Sequence, residues 1–176
     1  MFNQNWNPIE LFKNCDLSTM LDGHYWNYSK NKSYKVGQIT IALVKIKPNE
    51  DFWLLFHIGK ITRDLNILNG VGYEYESLPD YEKYCGRLII KFKNKAQTMI
   101  RNFKSVMDEC EVAQILPDTF DNDLFPGYDK VNLTWEEMRR VLEKDNWKTA
   151  LQNQKGVYLL TDISNGKKYV GSAYGN

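Results

Sequence analysis

The sequence predicts an α+β fold, a small β-barrel-like N-terminal domain with flanking helices, followed by a separate β-hairpin. Three observations carry this reading. Residues 37–48, 51–62 and 86–93 are alternating or densely apolar runs rich in β-branched residues. Helix-start signals sit before the first run and after the last. An Asn165-Gly166 pair between two apolar stretches is the strongest short-range hairpin signal in the chain.

Taken in order, the chain opens with two short helices, one after Pro8 through IELFKN and one through LSTML with Asp16 placed as its N-cap. The three strand candidates follow. Between the second and third, NILNGVGYEYESLPDYEKYC is rich in Gly, Asn, Pro and Tyr and reads as a long loop or lid. Residues 95–109 place Ala96, Met99, Ile100, Phe103, Val106 and Met107 at helical spacing, which predicts an amphipathic helix packed on the sheet. A short strand, CEVAQILP, comes next. An acidic connection punctuated by Pro126 and Gly127 leads to NLTWEEMRRVLEK, a helix opened by a Thr134/Glu137 capping box, and Asp145 caps one further turn, NWKTAL. From Gln152 the pattern changes to strands, GVYLLTD and KKYVGSA, joined by ISNG. The expected domains are therefore 1–151 and 152–176.

Composition limits the function classes. At 176 residues, 43% hydrophobic and 14% aromatic, the chain can build a core and is not disordered as a whole. No apolar run approaches the roughly 18 to 20 residues that span a bilayer, and the start lacks a signal-peptide pattern. Three cysteines without C-x-x-C spacing and two histidines argue against a disulfide framework or zinc finger. These features predict a protein of the cytoplasm with no membrane contact. Cys15, Cys85 and Cys110 read as small buried hydrophobes, and Trp53, Trp135 and Trp147 as core. His57, inside an apolar run, reads as a core histidine, and His24 as exposed and able to meet a phosphate.

A net charge of +1 conceals an uneven distribution. Residues 30–47 carry five lysines and no acid, 87–104 six basic residues and no acid, and 105–137 nine acids against Lys130 alone. Such a chain is expected to be electrically two-sided, because screening beyond roughly 8 Å stops one face from cancelling the other. Lys45, Lys47, Lys91, Lys93, Lys95 and Arg101 are the candidate phosphate contacts. Tyr73 and Tyr75 are candidate stacking platforms for unpaired or flipped bases, each stack worth about 1 to 3 kcal/mol. The alternative is a solvated sheet edge protected by lysines.

The last segment carries the chemistry. Gly156-Val157-Tyr158 is followed after ten residues by Tyr169-Val170-Gly171, continuing into Ser172-Ala173. If the loop is the four residues 163–166, Asp162 pairs with Lys167, Leu160 with Tyr169 and Tyr158 with Gly171, and both phenols share one face as diagonal neighbours; a two-residue loop at Asn165-Gly166 would keep them on one face but further apart. Gly171 would leave room there for a phosphodiester. Lys168 is a possible phosphate contact, although strand alternation turns it to the other face. The two triplets resemble the opening motif of the GIY-YIG nuclease family, with Val in place of Ile in each. The resemblance implies that Tyr158 orients or deprotonates the attacking water, that Tyr169 supports the scissile phosphate, and that DNA is the substrate, in a setting such as restriction or phage defence. It also implies an arginine after the hairpin and a metal-holding glutamate further on. Neither has a counterpart in the sequence, so this chain is expected to be inactive, and a divalent metal (Mg²⁺) is expected only in a full-length nuclease. The competing expectation is a non-enzymatic module that binds nucleic acid or protein, its hairpin purely structural.

Overall fold

In the computed structural model, which describes residues 7–28, 30, 32–152 and 154–174, helix α1 (Pro8–Lys13) begins at a proline that needs no N–H partner and ends in a Schellman turn. There Asp16 N–H donates to Leu11 O (2.9 Å), Cys15 N–H donates to Phe12 O (3.0 Å), and Cys15 takes φ 58°. Cys15 is thus exposed rather than buried. Helix α2 (Leu17–His24) is capped by Asp16, whose carboxylate accepts from Thr19 N–H at 3.1 Å.

By its contacts the chain divides into two units, Met1–Phe120 and Asp121–Asn176. The division falls ahead of the boundary near Gln152 that the composition suggests, because the acidic connection folds back onto the two helices that follow it. In the first unit, β1 (Trp26–Asn27) forms a small antiparallel ribbon with β4 (Gly70–Val71). The main sheet is antiparallel and contains β2 (Ile39–Lys45), β3 (Phe52–Asp64), β5 (Tyr73–Ser77), β6 (Leu88–Lys91) and β7 (Glu111–Ile115). Its order is β2-β3-β6-β7, with β5 alongside the far half of β3. The fold is α+β, and among the described residues β2 and β7 remain unjoined edges and no closed barrel is found, so the barrel-like expectation is not confirmed. Ala113 is an extra residue in β7, where Gln114 pairs with Ile89 and Val112 with Ile90, a bulge of the kind that blunts an edge.

A second bulge sets the core. Ala42 pairs with His57 and Leu43 with Leu55, so Phe56 is inserted and the alternation of β3 changes phase there. Leu54, Phe56, Ala42, Val44 and Ile89 then pack with Ile9 and Met20 of the two helices. Trp53, Phe92 and Val106 form a separate cluster, with Trp53 Nε1–H donating to Phe92 O at 2.8 Å.

Two expectations fail here. The supposed lid contains β4, β5 and a one-turn helix α3 (Pro79–Glu82), because Tyr73 and Tyr75 alternate as strand residues against the end of β3. The supposed helix over 95–109 is an extended loop with two 3-10 turns, Phe103–Ser105 and Met107–Glu109. Its polar side chains compete for the backbone: Asn94 Oδ1 accepts from Ala96 N–H, Thr98 Oγ1 donates to Ile100 O, and Asn102 Oδ1 accepts from Lys104 N–H.

The second unit holds α4 (Trp135–Val141), opened by the Thr134/Glu137 capping box, and α5 (Asp145–Gln152). Trp147 is buried, donates Nε1–H to Asp123 O at 2.9 Å, and meets the Phe125 ring edge-on at 5.0 Å. Tyr128 donates its hydroxyl proton to Ala150 O at 2.7 Å. Trp135 is exposed, against the expectation of a core tryptophan. Strands β8 (Gly156–Thr161) and β9 (Lys168–Ala173) complete the unit. No helix among the described residues is long and apolar enough to cross a membrane.

Candidate functional site

The β8–β9 hairpin has the register that its turn chemistry dictates. Tyr158 pairs with Gly171, Leu160 with Tyr169 and Thr161 with Lys168, and Asp162 N–H donates to Lys167 O at 2.8 Å. Asp162 organises the loop. Its Oδ1 accepts from Ser164 N–H (2.9 Å) and Ser164 Oγ–H (2.6 Å), and its Oδ2 accepts from Asn165 Nδ2–H (2.7 Å). These bonds, Ser164's first, hold the Asp162 carboxyl below its ordinary pKa. Gly166 closes the loop at φ 73°, where an L side chain would be strained.

By strand alternation Tyr158, Leu160, Tyr169 and Gly171 share one face, and Lys168 lies on the other with Leu159 and Val170. Tyr158 is 50% exposed and Tyr169 57% exposed. The gap at Gly171 is not open: a Cβ there would sit 2.4 Å from Tyr158 Cζ and Oη, so the phenol of Tyr158 already occupies it. Glycine is required by the ring across the ladder rather than by an approaching phosphodiester. Gly171→Ala is therefore expected to swing the Tyr158 ring off the face at small cost in stability, within about 0.5 kcal/mol, because the ring is solvated and can rotate. Ring-proton NMR shifts of Tyr158 check this, and unchanged shifts would show that the ring does not depend on the glycine.

The basic candidates are distributed differently from the sequence pattern. Lys47 pairs with Glu50 (2.7 Å) and Lys95 with Glu109 (3.0 Å), so acids from outside the basic stretches neutralise part of them. Lys45 Nζ donates to Pro48 O (2.8 Å) and lies 5.6 Å from the centre of the Trp53 ring system. Arg101 donates to Asn94 Oδ1 at 2.8 Å. Lys91 stands opposite Glu111 in the ladder, and neither Lys91 nor Lys93 forms an ion pair among the described residues. On the acidic side, Asp123 accepts from Arg140 Nε at 2.6 Å and Asp121 pairs with Lys144.

Tyr73 is only 2% exposed and cannot offer a face to a base. Tyr75 stacks on Tyr25 at 4.1 Å and 12°, so that one of its faces is already taken. Both rings serve a buried layer that the sequence reading missed. Thr40 Oγ–H donates to Gly59 O (3.2 Å), which leaves Thr40 Oγ1 to accept from the Tyr25 hydroxyl (3.1 Å). Tyr25, its one proton spent, must accept from His57 Nε2–H (2.9 Å). Burial pushes the Tyr25 phenol up to about 12 and lowers His57. His24 is enclosed by the rings of Tyr25, Tyr34 and Phe56, at 4.7, 5.6 and 6.2 Å, instead of facing solvent. Its pKa is held down to about 4 by burial and by His57. No local pattern signals this chain of bonds, since its members come from the residue that follows α2, from β2 and from β3.

The chain matches no family model, no curated protein and no solved structure. Among the described residues no group of three or more His, Cys, Asp and Glu side chains is placed to hold a metal ion. The donor set that a divalent metal needs is thus not assembled by them.

Proposed function

We propose that this chain is the DNA-recognition portion of a GIY-YIG-type endonuclease, a protein of the cytoplasm in which the β8–β9 hairpin is the opening element of the nuclease unit. The observation that supports this reading is the pair of solvent-open phenols, Tyr158 and Tyr169, on one face of a hairpin in which Tyr158 pairs with Gly171 and Leu160 with Tyr169. In this role Tyr158 Oη would orient the attacking water and Tyr169 Oη would hold a phosphate oxygen. Phosphodiester hydrolysis in the complete site also calls for charge stabilisation by a divalent metal. In this reading the described residues bind and position.

Binding would fall to Lys91, Lys93 and Arg101. Titration of labelled duplex and single-stranded DNA at two salt concentrations tests it. Each phosphate contact steepens the fall of log K with log salt by about 0.9 for duplex. Replacing Lys91, Lys93 and Arg101 together with Ala should flatten that slope by roughly 3 and weaken every duplex sequence alike. An unchanged slope would remove these residues from the interface. That result would favour the protein-binding form of the second reading, a module with a structural hairpin, which draws its support from the paired lysines and the buried Tyr73.

A further inference from the structure

The ring layer around His24 and His57 stands apart from the main core in three ways. It forms its own cluster, Tyr25, Tyr34, Ile61 and Tyr73, distinct from the cluster built on Leu54 and Ile89. It is closed on one side by the two-residue ribbon β1–β4, whose connections include Gly72 N–H to Tyr25 O (3.0 Å) and Asn69 N–H to Asn27 O (2.8 Å). It is crossed by the segment carrying Tyr34, whose N–H donates to the Tyr73 hydroxyl and whose own hydroxyl donates to His24 O, both at 3.3 Å. Such small, separately packed parts open before the whole molecule does.

Within the layer both histidines are short of the partners that a cation needs. His57 Nε2–H is committed to Tyr25. His24 Nε2 is buried and has no hydrogen-bond partner among the described residues. The groups facing the pair can be named element by element: Asp22 from α2, Tyr34 from the strap, Thr40 from β2, Phe56 and Gly59 from β3, and Tyr73, Tyr75 and the Glu76 carbonyl from β5. Asp22 acts on Tyr75, and among the described residues neither imidazole forms an ion pair with a carboxylate. A proton added to His24 is therefore met by the rings of Tyr25, Tyr34 and Phe56 and by a second histidine, with no ion-pair partner among the described residues.

We propose that this layer is an acid-opened latch, in which protonation of His24 frees the β1–β4 ribbon and the Tyr34 strap while the Leu54–Ile89 core stays folded. The inference does not depend on the role of the hairpin. The sign follows from proton counting. Between pH 6.5, the ordinary histidine value, and about 4, the closed state leaves His24 neutral while the open state protonates it. The open state binds more protons across that window, so lowering the pH favours opening, by about tenfold per pH unit and about 300-fold in all. Above pH 6.5 the contribution to closure is fully present.

The experiment is amide hydrogen exchange by NMR on the intact chain at steps from pH 7 to pH 4, each rate divided by its intrinsic value. Protection at Gly72 and Asn69 should fall by about 300-fold, while protection at Leu54 and Ile89 holds. Equal losses in layer and core would overturn the latch, as would full protection of Gly72 at pH 4. His24→Phe keeps a ring in place and removes the titrating group, so the loss at Gly72 should shrink at least about tenfold; an undiminished loss would overturn the assignment. Should that variant not fold, His24→Gln is the substitute. In the wild type the His24 Cε1–H shift must titrate together with the loss of protection. Titration near 6.5 with Gly72 still protected would overturn the proposal without any variant.

Discussion

Gly59→Ala is expected to cost about 3 to 5 kcal/mol, a large share of the stability of a domain this size. A Cβ at Gly59 would lie 2.6 Å from His57 Nε2, 2.6 Å from the Tyr25 hydroxyl and 3.2 Å from the Glu76 carbonyl oxygen. The first two atoms belong to side chains, but both are buried and committed to the bond chain that ends on Gly59's own carbonyl. The third is backbone and cannot step aside. The methyl group must either break the His57–Tyr25 bond or part β3 from β5, and each choice leaves a buried polar group without a partner. Urea unfolding should show a lower midpoint with an unchanged slope for the first unit. A midpoint shift equivalent to less than about 1 kcal/mol would mean that the layer is looser than its geometry indicates.

Trp147→Ala carries the second large effect. The ring is 2% exposed and is the hub of the helical part of the second unit, edge-on to Phe125 and donating to the Asp123 carbonyl. Removing a buried tryptophan costs about 3 to 5 kcal/mol, and a unit as small as this one has little stability to lose. The nearby Arg140–Asp123 pair does not compensate, since an enclosed ion pair adds little beyond its own desolvation. Amides of α4 and α5 should lose hydrogen-exchange protection at 25 °C while those of β3 keep theirs. Trp147→Phe, which fills part of the volume but cannot donate, should fall between the two. If α4 and α5 stay protected in Trp147→Ala, the acidic connection is not held through this ring.

Local chemistry was legible wherever a bond closes within a few residues. Asp16 caps α2, Thr134 and Glu137 close their box, and Asn165-Gly166 turns a hairpin that keeps Tyr158 and Tyr169 on one face, while the choice of a four-residue loop rests on the bonds to Asp162 that the structure shows. The 95–109 segment was not legible, although its bonds are local too. Its apolar spacing suits a helix, but Asn94, Thr98 and Asn102 offer their own backbone closer partners, and Met99, Phe103 and Met107 stay exposed. The candidate site divides the same way. The sequence placed Tyr158 and Tyr169 on one face, whereas the ring filling the space at Gly171 follows from a side-chain direction that spacing does not encode.

What the sequence by itself determined, then, is the α+β class, the strand runs, the caps and the hairpin. Each depends on contacts closed within one turn or one ladder step, where residue type and spacing suffice. Only the tertiary structure decided that the sheet stays open among the described residues, that Tyr73 is buried and Tyr75 stacked, that Glu109 reaches Lys95, and that His24 and His57 share a layer of aromatic rings. The last of those outcomes draws on two inserted residues of β3, Phe56 in its pairing with β2 and Thr62 in its pairing with β5, which set how β2, β5 and the end of α2 meet around His57. A one-residue shift in a ladder reverses which side every later residue faces, and its position is chosen by packing between segments far apart in the chain.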